Sequence, residues 1–208
     1  MTVQRIQTLT DCIFAVAMML MVFTFNFPAE DATFAEEDIK IFVFTQAKPV
    51  FYFGFTFMLL GFYWITNTRL SRYVRHVDTV FLFLSLINIM FIVLLPYPNA
   101  LIMKFPDSWM IQIFYSANLT LIGASSLLMW IYCTKNRRLV DPELDQKTVN
   151  KLKIEIMVEP TMALISIAAV PISPILWRVA LALIPVVLVI FEAKSKGLSV
   201  FKPRSHIQ

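Results

Sequence analysis

The residues able to do chemistry in this chain are few and widely spaced. Its two histidines, His76 and His206, fall in a loop and a tail, far apart, so no histidine-based metal cluster can be assembled. The four glycines, Gly54, Gly61, Gly123 and Gly197, never approach the spacing of a phosphate loop or a nucleophile elbow. The same scarcity excludes an ion filter built from consecutive backbone carbonyls, so any ion selection falls to side chains on helices. The expectation is a protein that is not an enzyme, with no catalytic residue, no bound cofactor and no resident metal. What remains is a handful of ionisable groups beside long apolar runs. Arg5 and Asp11 open the run "RIQTLTDCIFAVAMMLMVFTFNFP". Glu155 and Glu159 form an i, i+4 pair directly before Pro160. A carboxylate at the centre of a membrane helix costs about 2.5 to 3.5 kcal/mol on insertion scales, so each of these groups needs a partner or a task. For Glu155 and Glu159 a proton relay is one reading, and interfacial carboxylates facing Lys151, Lys153 or Arg137 is the preferred one.

The elements that must position these groups are membrane helices. Apolar residues make up 58% of the 208, against 15% charged, which lies outside the range of a soluble domain of this length. Runs of about 20 apolar residues suffice to cross a bilayer core. Six are visible, at about 6–27, 47–67, 77–98, 109–133, 155–173 and 175–192. The basic residues test the map, because cytoplasmic loops carry the Lys and Arg. Arg5, Arg69, Arg72, Arg75, Lys135, Arg137, Arg138, Lys147, Lys151, Lys153, Lys194, Lys196, Lys202 and Arg204 fall on one side, 14 of 18. Lys40, Lys48, Lys104 and Arg178 fall on the other, with the acidic run "AEDATFAEED". The expected fold class is therefore an all-α, multi-pass membrane protein of six spans, forming one domain over 1–208, with both termini cytoplasmic. The net charge of +4 is accounted for by basic loops beside anionic lipid, and implies no nucleic-acid partner. A cleaved signal peptide is the rival for the first span, but Thr10 and Asp11 interrupt its leading region and its cleavage region is poor. Cys12 and Cys133 map to cytoplasmic helix ends, where both are expected free. Asn118, Gly123, Ser125 and Ser126 on the fourth span read as helix-packing residues.

Along the first span Leu9, Ile13, Val16, Leu20, Phe23 and Phe27 recur at spacings of four and three, the seam along which like helices pack about a common axis. At about 100° per residue, Asp11 points about 140° away from Val16 and off that seam. The span is apolar on every side, so periodicity alone does not choose the face.

Arg5-Ile6-Gln7-Thr8-Leu9-Thr10-Asp11, running into Phe14-Ala15-Val16-Ala17, resembles the Arg-x-x-x-Phe-Ser-Asp signature that opens the first helix of the transmembrane protein 175 family, the lysosomal potassium channel and its prokaryotic relatives. Later matches follow in order: Trp64, three residues before the family's His position; Asp78 and Asn88 on the third span; and Pro96-Tyr97. The resemblance implies a six-span subunit of a homotetramer in the bacterial or archaeal plasma membrane, with the first helix of each copy lining the pore. It places the pore constriction on Val16, Leu20 and Phe23, with Met19 and Phe27 also lining the pore. It places an interhelical polar network on Arg5, Thr10, Asp11, Trp64, Asn67, Asp78 and Asn88. Five departures stand out: Leu9 and Thr10 for Phe and Ser, Cys12 for Gly, Asn67 for the network His, and Met19 where many relatives have a pore Thr.

A ring of apolar side chains offers no ligands to a dehydrated ion, so such a constriction gates by dewetting. The expectation is a potassium-conducting cation channel of modest selectivity, its partners being itself, membrane lipid and monovalent cations. Asn67 does not titrate near neutral pH, which implies weaker pH dependence through that site. Glu30, Asp31, Glu36 and Glu37 at the outer mouth either concentrate cations or form a solvated charged loop, the latter preferred. The alternatives are a small secondary transporter, toward which Glu159-Pro160 leans, and a non-conducting scaffold or subunit.

Overall fold

The computed structural model of the chain describes residues 2–25 and 36–195, with side chains through residue 190. Among the described residues the structure is helical throughout, with one isolated bridge between Val74 and Val140. The first helix, α1 (Val3–Leu20), ends in a 3-10 turn, Met21–Thr24. A short α2 (Glu36–Thr45) leads into α3 (Ala47–Tyr73), followed by α4 (Thr79–Leu94), α5 (Pro96–Lys104), α6 (Trp109–Thr134), α7 (Gln146–Ala169) and α8 (Pro174–Ser195).

A long helix stands over each of the six apolar runs, and the departures at their ends have local causes. The third run breaks at Leu95 because Pro96 has no N–H to return to the preceding turn; it starts α5 instead. The second helix continues six residues past the apolar run, carrying Arg69 and Arg72 with it. The fifth begins nine residues early, in the polar connector, where Asp145 accepts a hydrogen bond from the Lys147 N–H as an N-cap. Asp78 caps α4 in the same way, accepting from the Phe81 N–H at 2.9 Å. The sequence reading did not place α2; its first turn holds Glu36, Glu37 and Asp38, which suits the positive end of a helix.

The six long helices run alternately between two ends of the bundle. Near one end Ile6, Leu70, Val74, Phe81, Trp130, Leu139 and Leu152 form an apolar cluster. Toward the other, Phe14, Ala17 and Met21 pack with Leu59, Ile92, Leu119, Ala169 and Trp177. The first end carries Arg69, Arg75, Arg137 and Arg138 in its loops and helix ends, and the second carries Lys104, Asp107 and Arg178, so the charge asymmetry of the sequence separates in space. Four helical stretches, Val3–Thr24, Glu36–Tyr73, Thr79–Lys104 and Trp109–Arg137, are long and apolar enough to cross a membrane. Of the last two helices, α8 has an apolar stretch over Pro174–Ile190 among the described residues, and α7 carries Lys151, Lys153, Glu155 and Glu159.

In lipid, burial of apolar surface does not by itself hold helices together; close packing and interhelical hydrogen bonds do. Gly123 on α6 shows the first. A Cβ added there would lie 2.7 Å from Pro160 Cδ, so the missing side chain is what lets α7 approach. The second is supplied by buried polar groups. Thr56 Oγ1 lies 2.7 Å from Asn99 Oδ1 and 2.6 Å from the Tyr115 hydroxyl, and Ser116 Oγ receives both Ser166 Oγ and Trp177 Nε1 at 2.9 Å.

Candidate functional site on the first helix

One side of α1 is buried and the other is not. Ile6, Thr10, Phe14, Ala17 and Met21 recur at three and four residues and face the other helices, with Phe14, Ala17 and Met21 at 1% exposure or less. The side turned away carries Leu9, Val16, Met19, Leu20 and Phe23, between 39% and 69% exposed, with Ile13 half-buried at its margin. The side chains that the sequence assigns to a constriction, Val16, Leu20 and Phe23, and the neighbouring Met19 thus share one uncovered apolar face. Phe27 lies outside the described residues, as do Glu30 and Asp31 of the acidic outer segment.

Asp11 lies off this face. The Trp64 indole Nε1 donates to Asp11 Oδ1 at 2.8 Å, tying α1 to α3 across a separation of 53 residues. One turn further along α3, Asn67 Nδ2 donates to Asn88 Oδ1 on α4 at 3.1 Å. Asn88 Nδ2 in turn reaches Ser125 Oγ at 2.8 Å, Ser126 Oγ at 3.0 Å and the Ile122 carbonyl at 3.0 Å on α6. Both serine hydroxyls donate to carbonyls one turn back in α6, so each accepts from Asn88 with its lone pairs. This chain crosses α3, α4 and α6 with Asn88 only 1% exposed at its centre.

The remaining residues of the expected network divide. Thr10 is buried against a small cleft shared with Asn67 and Asn88, yet its hydroxyl donates to the Ile6 carbonyl of its own helix at 2.9 Å. Asp78 belongs elsewhere: besides capping α4 it accepts from the Tyr132 hydroxyl at 2.5 Å and pairs with Arg138 at 3.3 Å. Arg5 is exposed, and its side chain bonds no other group among the described residues.

The acidic pair also departs from expectation. Glu155 pairs with Arg69 on α3 at 3.3 Å, and Glu159, 1% exposed, accepts from the Thr66 hydroxyl at 3.2 Å. These partners lie on α3, not among Lys151, Lys153 and Arg137. Both cysteines are free, Cys12 exposed and Cys133 buried. Sequence reasoning missed Thr56, Asn99 and Tyr115. Each is a lone polar group in an apolar run, and nothing in the local sequence names a partner more than 40 residues away.

These features define an all-helical membrane protein whose first helix has a polar side tied into the bundle and an uncovered apolar side. The family described as the endosomal/lysosomal potassium channel TMEM175 matches residues 5–96, the segment holding Asp11, Trp64, Asn67 and Asn88. A potassium channel of Streptomyces collinus is 21% identical over 154 residues, 72% of this chain and 73% of that protein. Among solved structures, a TMEM175 homologue of Chamaesiphon minutus, described as lysosomal potassium-selective channel homologue, superposes with a TM-score of 0.74 at 18% identity, covering 93% of this chain and 97% of the other. A variant of the potassium channel MtTMEM175, solved with a nanobody fusion, gives a TM-score of 0.63 at 17% identity over 93% of each chain. Residues 5–96 of the chain are thus similar to the TMEM175 potassium channel family, and the fold of the whole chain is similar to that of the solved homologues.

Proposed function

We propose that the protein is a potassium-conducting cation channel in which α1 of each of four copies lines a common pore. The observation that carries this reading is the uncovered face of α1, where Val16, Met19, Leu20 and Phe23 lie side by side while Phe14, Ala17 and Met21 are sealed within the subunit. Four such faces around an axis form a narrow apolar tube, in which Val16, Leu20 and Phe23 make the constriction and Met19 adds a thioether but no hydroxyl. An ion enters only when the ring widens enough to admit water, since none of these groups replaces a hydration shell. Weak discrimination among monovalent cations follows from the same chemistry. On this reading all six long helices span the membrane, both termini are cytoplasmic, and the basic end of the bundle faces the cytoplasm of the bacterial or archaeal cell. The hydrogen bond from Trp64 to Asp11 and the network around Asn88 set the angle at which α1 is held.

The test is cation flux from purified protein in potassium-loaded liposomes, compared with sodium and caesium, beside the Leu20→Ala variant. Flux above empty liposomes that rises in the variant supports both pore and constriction. No flux from either, in folded and inserted protein, turns the reading toward a scaffold or transporter of the same architecture.

A further inference from the structure

The first helix makes no use of the cleft between α3, α7 and α8, lined by Phe62, Ile65, Thr66, Arg69, Glu155, Glu159 and Leu188. Its chemistry is unbalanced. The Arg69 guanidinium is already paired with Glu155, and Glu159 receives one hydrogen bond, from Thr66 to Oε1. Glu159 Oε2 is buried and has no hydrogen-bond partner. An unmade hydrogen bond at a buried carboxyl oxygen is costly, so this atom marks a place for a donor that the chain itself does not supply.

The class of donor follows from the walls. A metal cation needs several oxygen ligands, and no group of three or more His, Cys, Asp or Glu able to hold one exists among the described residues. A primary ammonium has three N–H donors, one for Glu159 Oε2 and the others for further oxygens of the cleft or for water, and its carbon chain needs apolar surface, which Phe62, Ile65 and Leu188 provide. The cleft is open to the outside of the bundle, since Ile65 is 39% exposed. Thr66 lies seven residues before the end of α3, about 10 Å along the axis from its basic end, at the limit of the apolar run 47–67.

We propose that this cleft binds a primary ammonium group on Glu159, with Phe62, Ile65 and Leu188 holding the attached carbon chain, as the headgroup of an aminophospholipid presents it. The proposal is independent of conduction through α1.

Full-length protein is equilibrated with vesicles of equal parts phosphatidylethanolamine, phosphatidylcholine and phosphatidylglycerol, and retained lipid is measured by native mass spectrometry. Phosphatidylcholine is the control because its quaternary nitrogen has no N–H. The expected result is retention of phosphatidylethanolamine over phosphatidylcholine by about tenfold, the value of one charge-assisted hydrogen bond. Glu159→Gln should bring the two lipids to parity. Ile65→Trp, which fills the mouth of the cleft and leaves Glu159 intact, should do the same and serves if the first variant folds poorly. A second arm titrates ethylammonium chloride against potassium chloride and follows the Tm. A rise in the wild type that Glu159→Gln abolishes, with the lipids at parity, keeps the ammonium site and assigns it a soluble ligand. Parity in the wild type with no rise in Tm overturns the proposal, as does a lipid preference that survives both substitutions.

Discussion

Trp64 Nε1 stands 2.8 Å from Asp11 Oδ1, and this bond fixes the polar side of α1 to α3 while leaving the Val16 face free. Trp64→Phe keeps the ring but removes the donor. Hydrogen bonds to charged groups contribute about 1.5 to 3 kcal/mol when sheltered, and with Trp64 42% exposed the lower end applies. The variant should therefore melt earlier by thermal unfolding in detergent, with its reversal potential between potassium and sodium unchanged. A shifted ion preference at unchanged Tm would assign Asp11 a direct part in permeation.

The network around Asn88 predicts a larger effect. Asn88→Ala strands Asn67 and two serines in the interior, each unmade bond costing about 1 to 3 kcal/mol. Loss of folded protein, or a Tm drop well beyond that of Trp64→Phe, is the expected outcome by the same assay. A Tm equal to wild type would show that the three helices do not depend on it.

Gly123→Ala drives a methyl group into Pro160 and should destabilise the α6–α7 contact by about 1 to 3 kcal/mol, the usual cost of overpacking. Pro160→Ala should relieve part of that cost. In a double-mutant cycle on Tm the double variant should therefore lose less than the sum of the two single losses, and additive single effects would place the clash elsewhere.

In the loop at the basic end, the Glu143 N–H and then Arg75 hold the Asp141 carboxyl below the usual carboxylate range. The sign is that of a depressed acid: its contribution is present above the unfolded pKa and is lost as pH falls through the folded value. Asp141→Asn should flatten the acid limb of a Tm-against-pH curve below about pH 4. A limb as steep as wild type would remove Asp141 from the account.

Met19→Thr returns a hydroxyl to the proposed pore face, where Met19 is 63% exposed. The reversal potential measured under a potassium/sodium gradient should move toward potassium. No movement in protein of normal flux would place Met19 away from the ion path.

Several of these relationships could be read from the chain before it was folded. Leu9, Val16, Leu20 and Phe23 fall on one side of any helix drawn through them, because 3.6 residues per turn is a property of the backbone. Asp11 had to lie off that side for the same reason. Partners were another matter. Glu155 and Glu159 suggested nearby lysines on the same segment, and the fold gave them Arg69 and Thr66 instead. Asp78 was grouped with Asn88, ten residues along the same helix, and was found capping α4 beside Tyr132 and Arg138 at its end.

The sequence by itself determined that the protein is helical and membrane-embedded and which residues share a helix face. These are consequences of hydropathy and backbone periodicity, both of which are local. Only the tertiary structure decided which face of α1 is covered, since a span apolar on every side packs equally well in any rotation until Trp64 finds Asp11. It also decided that Glu159 is sealed beside α3 with one oxygen unpaired, because that depends on the rotation and tilt of three helices at once.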